Sequence, residues 1–173
     1  MNYIGCTRFT NRTYQENTKY KNKHNEMVIY GLAIKIREIY SDGSHMYIAE
    51  MNNDKNKIEG IGLIVKNLVS KRHKIYEDSN FNQYIYRGKY WLSREQIEAL
   101  DSSILEVFDN ILFKGKSHLK NRMGISILSD QLFTHWDYTL RDLKQKVISM
   151  FSRHFGEDAD LVTTTATATT TDI

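Results

Sequence analysis

The sequence predicts an α+β domain in which five short strands form a small, partly open barrel with helices packed on it. Three observations lead there. Five segments rich in β-branched and aromatic residues follow one another between residues 27 and 92 with no helical stretch between them. At Ser93 the hydrophobic period changes from that of a strand to that of a helix. The chain has no proline, so glycine, Asn and Asp must supply its turns and curvature. Strands that succeed each other without helical crossovers argue against a doubly wound sheet, and glycine-broken strands favour a small barrel.

In chain order, Thr13-x-x-Glu16 has the form of a capping box, and the polar run behind it reads as a short helix at the domain edge. MVIYGLAIKI (27–36) reads as a strand kinked at Gly31, and SDGS (41–44) as a turn. HMYIAEMN (45–52) alternates as a strand does, NNDKNK (52–57) turns, and IEGIGLIVKNLV (58–69) is a near-continuous apolar strand. RHKIYE (72–77) and QYIYRGKYWL (83–92) complete the five. Ser93-x-x-Gln96 then opens a helix whose apolar positions run Ile97, Leu100, Ile104, Leu105, Phe108, Ile111, Leu112. A basic loop spans 114–124, a short helical turn is expected near 129–136, and an amphipathic helix covers 137–155 with Gly156 as its C-cap. The domain is expected to end at residue 156. The Thr-rich segment 157–173 has no large apolar residue after Val162 and reads as a disordered tail.

Charge narrows the partners. The segment 157–173 holds four acids and no Lys or Arg, which leaves the body with 24 basic against 17 acidic residues, a net +7. A basic body favours an anionic partner. No apolar run approaches the ~20 residues needed to span a bilayer, and the N-terminus lacks the apolar stretch of a signal peptide; an intracellular protein with no membrane partner is expected. The single cysteine, Cys6, excludes an internal disulfide and a cysteine-based zinc site. The six histidines show no metal-ligand spacing, and Glu50, Glu59, Glu77 and Asp78 are scattered. No metal, cofactor or catalytic residue is therefore assigned, and a non-enzymatic role is favoured.

Two stretches carry the binding chemistry. Lys114, Lys116, His118, Lys120 and Arg122 place four fixed cations and an imidazole within nine residues, beside Gly115 and Gly124. Such a loop suits phosphate, held by the side chains and by backbone N–H groups near the glycines. In NQYIYRGKYWLSR (82–94), read as one strand, Tyr84, Tyr86, Tyr90 and Leu92 share a core face, and Arg87, Lys89 and Trp91 share the other. Trp91 is then a platform for a base, with Tyr90 or Tyr86 in that role if the faces are reversed, and Arg87 meets phosphate. Asn52 and Asn53 offer paired donor and acceptor groups to a base edge.

The blocks EMNNDKNKIEGIGLIVKN, HKIYEDSNFNQYIYRGKYWLSR and ILFKGKSHLKNRMG, in that order, resemble a protein family of large nucleocytoplasmic DNA viruses over about residues 8–155. That resemblance implies a place in the host cytoplasm, the virus factory or the virion, and viral protein partners. At the level of fold, IEGIGLIVKN among five strands is similar to PUA-like domains, including the EVE-type branch, which bind RNA or modified bases in an aromatic-walled pocket. The expectation is a nucleic-acid-binding protein (DNA or RNA), with modified-base reading as its narrower form. The alternative is a structural or interaction protein such as a minor virion component.

Overall fold

The computed structural model describes residues 1–156; the Thr-rich segment 157–173 lies outside the described residues. The chain is α+β. It runs β1 (Asn2–Phe9), α1 (Asn11–His24), β2 (Val28–Leu32), β3 (His45–Asn52), β4 (Lys57–Val65), a 3-10 turn (Ser79–Asn82), β5 (Tyr84–Gly88), β6 (Tyr90–Ser93), α2 (Arg94–Phe113), β7 (Ser126–Ile127), a second 3-10 turn (Asp130–Phe133) and α3 (Leu140–Phe155). Five strands form an open mixed sheet in the order β6-β4-β3-β1-β7, while β2 and β5 pair separately. The sheet does not close into a barrel.

Residue alternation along the central strands divides the core in two. On one face, Ile4, Cys6, Tyr47, Ala49, Met51, Ile58, Ile61 and Leu63 meet the apolar stripes of α2 and α3. On the other, Phe9, Met46, Ile48 and Ile64 meet the β2–β5 pair, with Tyr14 and Tyr20 of α1 packed at the edge. Burial pushes the thiol of Cys6 up to about 12, so it remains a protonated core residue.

Local signals place several ends as expected. Ser93 and Gln96 form a reciprocal capping box at the start of α2, and Gly156 takes φ 76° with its N–H on the Ser152 carbonyl. Inside α2, Asp101 leaves helical geometry and accepts from the backbone and hydroxyl of Ser103, restarting the helix.

Four expectations are corrected. The box that opens α1 is Thr10 with Thr13, not Thr13 with Glu16. Residues 72–77 form no strand; the segment is held by Asn82, whose Oδ1 accepts from the N–H groups of Ile75 and Tyr76. The stretch 2–9, not counted among the five strands, pairs in parallel with β3 along all eight residues, with α1 and β2 as the crossover. Finally, 83–92 is two strands in two sheets: β5 pairs with β2, and β6 with β4.

Gly88 makes that corner possible, because a Cβ there would lie 1.8 Å from the Leu63 carbonyl oxygen. Gly88→Ala is expected to force β4 and β5 apart at a cost of about 2–3 kcal/mol. The melting temperature should fall by roughly 5–10 °C. An unchanged melting temperature would mean the two strands separate freely.

Candidate functional site

The C-terminal end of β1, the first turn of α1, the end of β2 and the chain around residues 76–81 enclose a cleft of about 280 Å³. Phe9, Tyr30, Tyr76 and Phe81 wall it, Thr7, Thr10, Thr13 and Asn53 add polar groups, and Met123 and Gly124 of the basic loop border it. Gly31 lets the wall close, since a Cβ there would fall 2.4 Å from the Phe81 carbonyl oxygen. The aromatic rings hold one another edge-on: Tyr76 and Phe81 have centroids 6.3 Å apart at 81°, and Phe9 meets Tyr14 at 5.6 Å and 82°.

The two phenols in the wall are fixed from behind. The Tyr30 hydroxyl donates to Glu50 Oε1 at 2.8 Å, and the Tyr76 hydroxyl accepts from Asn17 Nδ2 at 3.1 Å. Burial, then the nearby Glu50 carboxylate, pushes the Tyr30 phenol well above its ordinary value; burial does the same for Tyr76. Both rings are neutral faces at physiological pH. Glu50 itself is fully buried and also accepts from Trp91 Nε1 at 3.1 Å. Burial raises its carboxyl, opposed by Lys21, Tyr30 and Trp91.

Beside the cleft, and sharing Met123 and Gly124 with it, lies a groove of about 680 Å³. Lys35, Arg37, Lys116, Arg122 and the half-buried His118 line it, and among the described residues no carboxylate lines either cavity. Lys35 is paired with Glu38 outside the groove at 2.5 Å, which weakens its share. The carbonyl of Lys120 moors the basic loop to the cleft, accepting from Asn53 Nδ2 at 2.8 Å and from Arg8 at 3.1 Å. Lys120 Nζ donates to Asn56 Oδ1. The loop is therefore seated at the ends of β1 and β3 rather than free in solvent.

The structure brings together part of the set read from the sequence. Lys116, His118 and Arg122 share the groove, and Asn53 lines the cleft. Lys114 lies outside it, donating to Asn110 Oδ1. Arg87 is on β5, paired with Glu26 at 2.8 Å. Asn52 is 1% exposed and fully committed: its Nδ2 donates to Asn11 and Glu59, and its Oδ1 accepts from the N–H groups of Asp54 and Lys55. Trp91 faces inward, bonded to Glu50 with Lys21 Nζ 4.6 Å from its ring centre. Tyr86 is buried and accepts from the Ile36 N–H; Tyr90 packs beside Phe155. None of Trp91, Tyr86 and Tyr90 lines either cavity. The corner at Gly88 explains this, because the alternation drawn through 83–92 breaks there.

Sequence reasoning missed the aromatic walls and the cations Arg8, Lys35 and Arg37. Each wall residue comes from a different element, and no local pattern joins them. Comparison of the chain with protein-family models, curated proteins and solved structures finds no match.

Proposed function

We propose that the protein binds nucleic acid, holding one base in the aromatic cleft and the adjoining phosphates in the basic groove. The observation that carries this reading is the continuity of the two cavities across Met123 and Gly124. Neutral aromatic walls suit the faces of a base, and fixed cations without intervening acids suit phosphate. A base that enters the cleft to meet its aromatic walls leaves its own stack. An unstacked base held against aromatic walls exposes its edge to the polar groups of the cleft, so modified-base reading is the narrower form of the proposal. The sequence resemblance to a family of large DNA viruses would put the partner in an infected cell.

The test is fluorescence anisotropy with labelled single-stranded DNA and RNA at low salt. Phe81→Ala is expected to weaken binding by about 1–3 kcal/mol, roughly fivefold to 150-fold, through one lost stacked base. A melting curve on the same variant separates this from misfolding. If the folded wild type binds neither DNA nor RNA, the reading fails and a protein-interaction role takes its place.

A further inference from the structure

Two exposed aliphatic side chains stand where the cavities meet. Ile34, just after β2, and Met123, in the basic loop, are each 50% exposed. Met123 borders both cavities, and Ile34 lines the groove directly after Ala33, which lines the cleft. The backbone holds them near each other. Gly124 takes φ +69°, and a Cβ there would lie 3.5 Å from the Ile34 carbonyl oxygen and 3.7 Å from its Cβ. Lys35 and Arg122 are their sequence neighbours, Arg37 lies three residues beyond Ile34, and all three line the same groove. An apolar ridge bordered by cations in this way is wasted on a free nucleotide, whose only base would occupy the cleft.

We propose that this ridge takes the base adjacent to the one in the cleft, so that the ligand is a single-stranded segment read at two consecutive nucleotides. The inference rests on the nucleic-acid reading above and adds a second base subsite to it. The geometry follows from chain chemistry. A base in the cleft directs its flanking phosphates toward the groove that Met123 and Gly124 join to it, which Arg37 and Arg122 line. The neighbouring base, unable to stack on a partner that has left, covers Ile34 and Met123 and removes them from water. A paired duplex cannot supply that base without losing its own stacking, so single strands bind better than duplexes of the same sequence.

The experiment uses the full chain and trinucleotides carrying each of the four bases at the centre. One set has thymine on both flanks; the other has abasic residues there, which keep every phosphate and remove the flanking bases. For the central base that binds best, wild type should prefer the thymine-flanked form by about tenfold. Ile34→Ser/Met123→Ser should reduce that preference to about one. Because Met123 also borders the cleft, Ile34→Ser, at a residue that lines only the groove, is the variant expected to lower the preference while leaving affinity for the abasic-flanked form unchanged. Both substitutions replace exposed side chains, and an unchanged melting curve confirms the fold. Equal binding of the two forms by wild type overturns the ridge while leaving the base cleft standing. A preference that survives in the double variant overturns it as well. Binding to none of the trinucleotides, nor to longer strands at low salt, is failure of the nucleic-acid reading itself.

Discussion

Glu50→Ala is expected to lower the unfolding free energy by about 3 kcal/mol or more, among the largest effects of any single substitution in this chain. Glu50 is 1% exposed on β3 and serves two donors, the buried Tyr30 hydroxyl and the part-buried Trp91 indole N–H. Alanine leaves both unpaired at about 1–3 kcal/mol each, opens a cavity, and removes the negative charge facing Lys21, itself 8% exposed. Glu50→Gln is the control. Its carbonyl accepts from Trp91 and its amide donates to a Tyr30 hydroxyl turned to accept, so it should cost clearly less than Glu50→Ala at neutral pH, its remaining cost being the lost charge facing Lys21. Because Tyr30 walls the cleft, Glu50→Ala should also loosen ligand binding at temperatures where it remains folded. Chemical denaturation of the three proteins checks the order. Equal stability of the alanine and glutamine variants would show that the two donors find other partners.

The same carboxyl gives a pH signature with a definite sign. Its folded-state pKa is raised above the ordinary value, chiefly by burial. The native state then holds its proton longer than the unfolded state, so this group makes stability fall as pH rises from the ordinary carboxylate range through the raised value. His45 and His73 act in the opposite direction, since burial lowers both and their contribution grows as pH rises toward the ordinary histidine value. The difference between wild type and Glu50→Gln isolates the carboxyl, and it should move in favour of the glutamine variant with increasing pH. A difference independent of pH would mean that Glu50 titrates normally.

Features set by local chemistry were legible in the sequence. The Ser93–Gln96 box, the stripes of α2 and α3, the Gly156 cap and the limits of β3 all follow from spacings of four residues or fewer. The N-terminal strand was not legible, because Asn2–Phe9 mixes Thr, Arg and Asn among its apolar residues and gains its strand character from parallel pairing with β3. Trp91 shows the same limit from the other side. Beside Arg87 and Lys89 it reads as an exposed platform; Gly60 and the Gly88 corner, however, let the indole lie against β4, where a Cβ on Gly60 would be 2.9 Å from Nε1. Part of the basic loop could be read from composition. Its partners Arg8, Lys35 and Arg37 could not, since only the crossover after β1 and the loop after β2 bring them to one place.

Replacing Arg37, Lys116 and Arg122 together by alanine should weaken single-strand binding by about a hundredfold near 0.1 M salt. Each neutralised phosphate on a single strand contributes about 0.7 to the log–log salt slope, so three lost contacts flatten it by about two. Extrapolated to 1 M salt, where counterion release no longer contributes, variant and wild type should converge. All three side chains are exposed and line the groove, so the melting temperature should hardly change. Controls come from the cations that the fold places elsewhere. Arg87→Ala breaks only the pair with Glu26, and Lys114→Ala only the contact with Asn110; neither should alter the slope. Phe81→Ala should lower affinity with the slope unchanged, because a stacked base releases no counterions. A slope that falls equally with Arg87→Ala would mean that the phosphates spread over the whole basic surface, and that the groove beside the cleft does not direct them.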